Sequence, residues 1–376
     1  MKARGSDQQH ADFVADLSSL SLTTKAVEAL YLNSHPTLCM RTHLLASTVL
    51  AVCLLSACAP SRPATTPLRP AQPPPAETMR YRVFLIGDAG SSVGHPVLTL
   101  LERQLAATGE QGAVVFLGDN IYPDGLVPEE HPDRARSEVR LMAQLKAVED
   151  FDGRIVFIPG NHDWGDDEPD GIRGNPEAVA RQEAFVEAYL NRGDTFLPND
   201  GFPGPVTLEL AEGIRLVALG TQWWFTEERV TGDADDYEIS EPADVLSELS
   251  DVLFKHRKDH LLVVGHHPMQ SNGPHGGFFP WRDYLSPVPI YGAVRPLYRR
   301  FLGRRQDIAS ATYRRFRREV GGVLRQSEDL VYAAGHEHSL QYFRDEEPSA
   351  LRHYVVSGSG SGASHVDPGG AEFVAS

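Results

Sequence analysis

Five short apolar runs in this chain each end in a glycine that is followed by side chains able to bind metal ions. They are YRVFLIGDAG (81–90), AVVFLGDNIY (113–122), RIVFIPGNHD (154–163), HLLVVGHHP (260–268) and LVYAAGHEH (330–338). Continuous apolar runs of this length predict strands that are buried on both faces. A sixth run, IRLVALGTQWW (214–224), has the same form without a ligand-type residue.

The segments between these runs have helical patterns. The stretch 95–107 spaces Val97, Leu98, Leu101 and Leu105 on one helix face. Asn175-Pro176, and Ser240 with Pro242, predict the starts of two further helices. Strands that alternate with helices predict an α/β protein, whose sites lie beyond the carboxyl ends of the strands. The polar clusters at five strand ends are therefore expected to meet at one edge of the sheet.

The candidate ligands form a mixed oxygen and nitrogen set without cysteine. They are Asp88, Asp119, Tyr122, Asn161, His162, His266, His275, His336 and His338. Each alone is compatible with an ordinary turn or loop, but no local requirement of a fold asks for all of them in this order. Such a set favours iron, zinc or manganese, and one shared carboxylate would suit two ions about 3.5–4 Å apart.

In order, these blocks match the five-block signature of the purple acid phosphatases, which are calcineurin-like metallophosphoesterases. GHEHSLQYFRD (335–345) and YVVSGSGSG (354–362) most resemble the small, tartrate-resistant type. The resemblance covers roughly residues 81–362. It implies a four-layer αββα sandwich of two mixed sheets flanked by helices, and hydrolysis of phosphate monoesters by a metal-bound hydroxide.

The resemblance also implies two ligand sets. Asp88, Asp119, Tyr122 and His338 would hold a ferric ion, and Asp119, Asn161, His266 and His336 would hold a divalent iron, zinc or manganese ion. Many metallophosphoesterases place a histidine ligand where this chain has Gly90, so Tyr122 is expected to fill that position as a phenolate. Because ferric iron acidifies bound water strongly, an acid pH optimum is expected.

Three further residues are expected beside the metal ions. His162 directly follows a ligand, and the resemblance implies that it stabilises the transition state or protonates the leaving group. His275 has the spacing of a second substrate-side histidine, although an ordinary loop histidine is the alternative. Asp163 is expected to orient a ligand from outside the metal shell.

The metal motifs leave the substrate open. A phosphodiesterase or nucleotide hydrolase on the same scaffold is the nearest alternative, and a non-catalytic metal-binding surface lipoprotein is a more distant one. The net charge of −16, with five lysines and thirty arginines, argues against general nucleic-acid binding. A phosphorylated small molecule is the expected substrate, and the sequence does not indicate an oligomeric state.

The first eighty residues are not expected to belong to the folded domain. The predicted organisation is an untranslated upstream extension (1–39), a lipoprotein signal peptide (40–58), a proline-rich tether (59–80) and the catalytic domain (81–376). A translated cytoplasmic extension is the alternative for residues 1–39. Leu55-Ser56-Ala57-Cys58 resembles a lipobox, which makes Cys58 the expected site of lipidation. If the host has an outer membrane, Ala59 after this cysteine favours an anchor in that membrane, facing the periplasm.

Two features depart from the resemblance. Residues 295–319 insert nine arginines between His275 and His336, with Tyr313, Phe316 and Val320 at helical spacing. This stretch predicts a solvated helix with an apolar stripe; the alternative is a basic lid that attracts anionic substrates or lipid head groups. At the C-terminus, the small purple acid phosphatases continue for several more strands, so we expect either a truncated second sheet or one that closes differently.

Overall fold

The first sheet joins the three strands predicted nearest the N-terminus. The protein is described here by a computed structural model of residues 80–165, 173–227, 229–233, 238–285, 292–347, 350–367 and 373–375. The strands β1 (Arg82–Ile86), β2 (Gly112–Phe116) and β3 (Arg154–Phe157) run parallel in the order β1-β2-β3. The middle strand is buried along its whole length, as its continuous apolar sequence predicts.

The second sheet has seven strands in the order β12-β10-β11-β9-β8-β5-β4. The remaining strands are β4 (Val206–Ala211), β5 (Ile214–Leu219), β6 (Gly232–Asp233), β7 (Glu238–Ile239), β8 (His260–Gly265), β9 (Asp329–Ala334), β10 (Leu340–Glu347), β11 (Ala350–Ser357) and β12 (Phe373–Ala375). The central strands β5, β8, β9 and β11 are parallel, and β4, β10 and β12 are antiparallel to their neighbours. Strands β6 and β7 form a separate ribbon.

Helices connect the parallel strands. They are α1 (Pro96–Ala106), α2 (Arg134–Val148), α3 (Pro176–Leu190), α4 (Pro242–Lys255), α5 (Trp281–Leu285), α6 (Val294–Phe301) and α7 (Ala311–Leu324). As predicted, the Asn175 side chain caps α3. The predicted cap of α4 is wrong by one residue: Glu241, not Ser240, is the N-cap, because its side chain and that of Asp244 form a reciprocal capping box.

Neighbouring residues of one strand belong to different hydrophobic clusters. Val115 of β2 and Leu216 of β5 lie in one cluster with strand residues of both sheets. Val114 and Val217, one position along, lie in the other cluster with helix residues such as Leu249 of α4. Because strand side chains alternate between faces, the sheets pack on each other and the helices cover their outer faces. The α/β sandwich is confirmed; its larger sheet is mixed and its smaller sheet is parallel.

The two sheets are joined at their carboxyl ends. The backbone N–H of Gly87, after β1, donates to the carbonyl of Ser357 at the end of β11, and Gly360 N–H donates to the carbonyl of Gly87. His266, after β8, contacts the Leu117 carbonyl after β2. The polar segments after the strands therefore share one edge of the sandwich.

The described residues contain no helix that is long and apolar enough to cross a membrane. The predicted upstream extension, the signal peptide with Cys58 and the tether up to position 79 lie outside the described residues.

Candidate metal centre

Seven predicted ligands lie together at this edge. They are Asp88, Asp119, Tyr122, Asn161, His266, His336 and His338, and we call them the rim. Asp88, Asp119 and His336 have positive φ angles of 60°, 54° and 67°. The left-handed region is unfavourable for residues other than glycine, and such strain gathers at functional sites. The backbone therefore holds three of these side chains in a conformation that residues other than glycine seldom adopt.

The Tyr122 hydroxyl is the centre of the first half of the rim. It lies 3.0 Å from Asp88 Oδ1, 3.2 Å from Asp119 Oδ2 and 2.9 Å from His338 Nε2. His338 Nε2 is also 3.4 Å from Asp88 Oδ1. A phenol has one proton to donate, so it cannot satisfy all three neighbours at once. A cation bound among these oxygen and nitrogen atoms would satisfy all of them.

The Asn161 side-chain oxygen is the centre of the second half. It lies 3.0 Å from His266 Nε2 and 3.0 Å from His336 Nδ1. His266 Nε2 is also 3.3 Å from Asp119 Oδ1. Asp119 thus directs one carboxylate oxygen to each half of the rim, which is the position that the resemblance implies for a bridging ligand.

Backbone carbonyls fix the tautomers of two histidines. His266 Nδ1 lies 2.8 Å from the carbonyl oxygen of Leu117, and His336 Nε2 lies 3.1 Å from that of Gln306. A carbonyl only accepts, so these nitrogens carry the protons and donate. In the neutral ring, the other nitrogen turns a lone pair toward Asn161, as a metal-ligating histidine requires. In the metal-free protein this nitrogen of His266 carries a proton, which metal binding would displace.

Gly90 leaves no room for a ligand side chain. A Cβ atom at this position would lie 2.8 Å from the Asp119 carbonyl oxygen and 2.8 Å from the backbone nitrogens of Ile121 and Tyr122. The loop that carries Tyr122 therefore occupies the space that a histidine at position 90 would need. This packing matches the expectation that Tyr122 substitutes for that histidine.

Burial and the short distances between charged groups change the pKa values of the rim residues. Burial raises the pKa of Asp88. Burial also opposes ionisation of Asp119, but the positive charges of His266 and His162 outweigh it and lower its pKa. Burial favours neutral His266, yet the charge of Asp119 raises its pKa to about 9. For His336, burial holds the pKa well below its ordinary value.

The residues fit a metal centre on two observations. The buried Asp88 Oδ2 has no hydrogen-bond partner, and an unsatisfied buried carboxylate oxygen is costly unless a cation binds it. Ligand atoms of Asp88, Asp119 and His266 also lie within 4.8 Å of one another. Oxygen and imidazole donors without thiolate suit iron, zinc or manganese.

His162 and Asp163 have different surroundings. The His162 backbone N–H donates to Asp119 Oδ1 at 2.9 Å, and its ring Nδ1 lies 2.6 Å from the Pro123 carbonyl oxygen. Asp163 is buried and accepts from the backbone N–H groups of Gly160, Asn120 and Ile121 at 2.7–3.1 Å. It therefore ties the two loops that carry Asp119 and Asn161 through their backbones. Burial and the nearby Asp119 charge raise the pKa of Asp163 to about 6.

His275 lies beside the rim. Its ring centroid is 4.1 Å from that of His336. Its Nδ1 is 3.0 Å from Asp307 Oδ1, and its backbone N–H donates to Glu337 Oε2 at 2.8 Å. Asp307 is fully buried and also pairs with Arg299, which donates to both of its carboxylate oxygens. Burial opposes the charge of Asp307, but its bonds to His275 and Arg299 lower its pKa to about 2.

The sequence reasoning missed the residues that support His275 and His336. Gln306 and Asp307 belong to the loop 302–310 between α6 and α7, which we call the support loop. Its Ile308 N–H also donates to the His275 carbonyl at 2.9 Å. One signal was available: Asp307 is the only acidic residue among the nine arginines of 295–318.

The predicted stripe in the arginine-rich segment is confirmed. Tyr313, Phe316 and Val320 of α7 are buried, and the Tyr313 hydroxyl donates to the Pro268 carbonyl at 2.8 Å. Arg314, Arg315 and Arg318 remain exposed on the other faces of this helix. The basic-lid alternative stays a prediction, since packing of the stripe does not bear on substrate attraction.

Comparison with known proteins identifies a family for this chain. The sequence matches the family model described as calcineurin-like phosphoesterase over residues 81–340. No curated protein is a significant match. A similar solved structure is the crystal structure of a phosphopantetheinyl hydrolase from Mycobacterium tuberculosis, with a TM-score of 0.35 and 11% identity. That match covers 74% of this chain and 90% of the other.

Proposed function

This chain belongs to the calcineurin-like phosphoesterase family, and on that premise we propose that it hydrolyses phosphate monoesters at a centre of the purple acid phosphatase type. Membership of the family implies metal-dependent hydrolysis of phosphoesters at a binuclear centre. The preference for monoesters, the ferric ion and the acid optimum are the parts that we propose.

The position of Tyr122 is the single observation that carries the proposal. Its hydroxyl contacts both carboxylates and His338, and Gly90 excludes a histidine from the same space. A phenolate is a hard anionic ligand that suits a ferric ion. Burial and the charges of Asp119 and Asp88 raise the pKa of Tyr122 well above its ordinary value. The hydroxyl would therefore lose its proton only to a strongly charged cation.

The rim residues would divide between two ions. Asp88, Asp119, Tyr122 and His338 would hold the ferric ion, and Asp119, Asn161, His266 and His336 would hold divalent iron, zinc or manganese. When bound, such a pair of ions lowers the pKa of water and neutralises charge on phosphoryl oxygens. The chain itself supplies the fixed geometry, through the strained backbone and the two backbone carbonyls that orient His266 and His336.

Two histidines would act on the substrate. The Nδ1–H of His162 donates to Pro123, which leaves Nε2 as the nitrogen that can deliver a proton to the departing oxygen. His275 is held by Asp307 and Glu337 on the side of His336. It would bind phosphoryl oxygens or assist the same proton transfer.

Turnover of para-nitrophenyl phosphate and of its bis-ester, measured with the metal-loaded protein, tests the substrate class. We expect the monoester to be hydrolysed with a higher kcat/KM than the bis-ester, best at acid pH. A higher kcat/KM for the bis-ester would favour the phosphodiesterase alternative. Bound metal without turnover of either ester would favour a non-catalytic metal-binding role.

The visible spectrum tests the role of Tyr122. A tyrosinate bound to ferric iron gives a purple charge-transfer band, which Tyr122→Phe should abolish. Tyr189→Phe is the matched control, because the Tyr189 hydroxyl bonds to the exposed Glu149 outside the rim. A metal-loaded protein without iron, or a band that survives Tyr122→Phe, would reject this centre.

We also propose that Cys58 carries a lipid anchor, which would place the enzyme at the outer membrane, facing the periplasm. The basic start, short apolar stretch and lipobox of residues 40–58 support this proposal. Labelled palmitate should be incorporated into the wild-type chain expressed in a bacterium and not into Cys58→Ser. Equal labelling of the two chains would reject the anchor at this residue.

A further inference from the structure

Exposed apolar side chains are concentrated on α5, α6 and the residue after α6. Of the twelve large apolar side chains that are exposed among the described residues, seven lie between positions 281 and 302. They are Trp281, Leu285, Val294, Leu297, Tyr298, Phe301 and Leu302, and we call them the α5–α6 face. Single exposed apolar residues are ordinary, whereas a group of this size marks an interaction surface.

The spacing on α6 is that of an amphipathic helix turned toward solvent. Val294, Leu297, Tyr298 and Phe301 follow the i, i+3, i+4, i+7 pattern of one helix face. In α6 only Pro296 is buried. The next helix, α7, buries its own apolar stripe in the core. No described part of the chain therefore covers the apolar stripe of α6.

The charge around this face is positive. On α5, Arg282 and Asp283 lie 3.9 Å apart and offset each other. Around α6, Arg295, Arg300 and Arg304 are exposed, and residues 292–306 contain no acidic side chain, although the chain as a whole carries a net charge of −16. The guanidinium groups of Arg295 and Arg300 lie 5.9 Å and 5.3 Å from the rings of Phe279 and Phe278. A basic island on an acidic protein is complementary to an anionic surface.

We propose that the α5–α6 face docks on an anionic lipid bilayer. Aromatic and aliphatic side chains beside arginines are the composition of helices that lie in the membrane interface. Trp281 and Phe301 would enter the boundary between head groups and acyl chains, and Arg295 and Arg300 would contact lipid phosphates. Docking does not depend on the proposed hydrolysis. It would bring the metal centre close to the bilayer, because Arg299 of the same helix contacts His275.

The fluorescence of Trp281 tests docking at the face itself. This tryptophan is 76% exposed, and the other three tryptophans of the chain, Trp164, Trp223 and Trp224, are buried. The full chain is mixed with phosphatidylcholine vesicles, with or without one quarter phosphatidylglycerol, that contain brominated acyl chains. We expect quenching on the anionic vesicles that weakens as salt is added. Trp281→Phe should bind equally but lose most of the quenching, which separates the face from contacts of the N-terminal segment.

Charge reversal tests the arginines. Arg295→Glu with Arg300→Glu should weaken quenching on anionic vesicles at least about tenfold in lipid concentration, since each arginine contributes to attraction by the anionic surface. Arg103→Glu with Arg136→Glu changes the net charge equally at exposed positions on α1 and α2 and should have little effect. An unchanged melting temperature shows that both double variants are folded.

Three results would overturn the proposal. One is equal quenching on neutral and anionic vesicles, and another is quenching that survives the Arg295 and Arg300 reversals. The third is protection of Trp281 from iodide that depends on protein concentration without lipid, which would make the face a contact between copies of this chain.

Discussion

The rim and the support loop contribute to the same site in different ways. Rim side chains follow the carboxyl ends of strands, and at Asp88, Asp119 and His336 the backbone is strained to direct them inward. The support loop contributes a backbone carbonyl to His336 and the buried carboxylate of Asp307 to His275. Ligand chemistry is thus encoded in strand-end motifs, whereas the orientation of two histidines comes from a loop remote in sequence.

The largest effect is expected at the carboxylate shared by both halves of the rim. Asp119→Asn removes the charge that each half uses, so we expect loss of both ions and a fall in kcat/KM of at least about a thousandfold. Elemental analysis and turnover of a phosphomonoester measure this. Asp133→Asn, at an exposed carboxylate before α2, is the control. A variant that keeps two ions per chain would show that Asp119 does not bridge them.

A smaller effect is expected at the support loop. Asp307→Asn weakens the contacts with both His275 and Arg299, and we expect kcat to fall about 10–100-fold, as for other residues that orient a functional group. KM and metal content should change little if Asp307 positions His275 for the chemical step. Asp194→Asn, in an exposed pair with Arg154, is the control. Loss of metal from Asp307→Asn would instead show that the substitution disturbs the metal ligands of the rim.

The raised pKa of His266 predicts how metal uptake depends on pH. Its imidazolium, with a pKa of about 9, contributes stability to the metal-free fold that is fully present below its unfolded pKa of about 6.5 and is lost as pH rises through about 9. Metal binding must displace this proton. Affinity for zinc should therefore rise about tenfold per pH unit between about pH 7 and 8. Competition with a chelator measures it, and a pH-independent affinity would contradict this electrostatic description of the rim.

The smallest effect is expected at Glu183, a carboxyl remote from both the rim and the support loop. It measures how far burial alone changes the pH dependence of stability. Burial raises the pKa of Glu183 to about 7. In the pH range between the unfolded pKa and 7 the folded state binds more protons, so stability falls as pH rises through this range. Glu183→Gln should therefore stabilise the protein at pH 8, relative to pH 5, by about 1 kcal/mol once solvent screening is allowed for. Urea unfolding at the two pH values checks this. If the free energies of unfolding of the variant and the wild type differed by the same amount at both pH values, the prediction would be contradicted.

Much of the fold and the rim could be predicted from the sequence, because both depend on local patterns. Apolar runs as in β2 identify buried strands, and parallel strands bring their carboxyl ends to one edge. The resemblance to the purple acid phosphatases implied that Tyr122 fills the position left by Gly90, and the structure adds the backbone contacts that exclude a side chain at position 90.

The support loop could not be predicted, because its contacts depend on tertiary placement. Gln306 acts through a backbone carbonyl, which carries no sequence signal, and its distance from His336 is 30 residues along the chain. Asp307 was visible as a lone acidic residue among arginines, but nothing local linked it to His275. The cap of α4 was displaced by one residue for a related reason: the reciprocal bonds of Glu241 and Asp244 outweigh the intrinsic preference for serine.

Anomalous diffraction from crystals of the metal-loaded protein tests the central claim most directly. We predict two peaks about 3.5–4 Å apart, with Asp119 between them, Tyr122 and His338 on one ion, and Asn161, His266 and His336 on the other. A single peak, or two peaks that do not share Asp119, would contradict the binuclear centre.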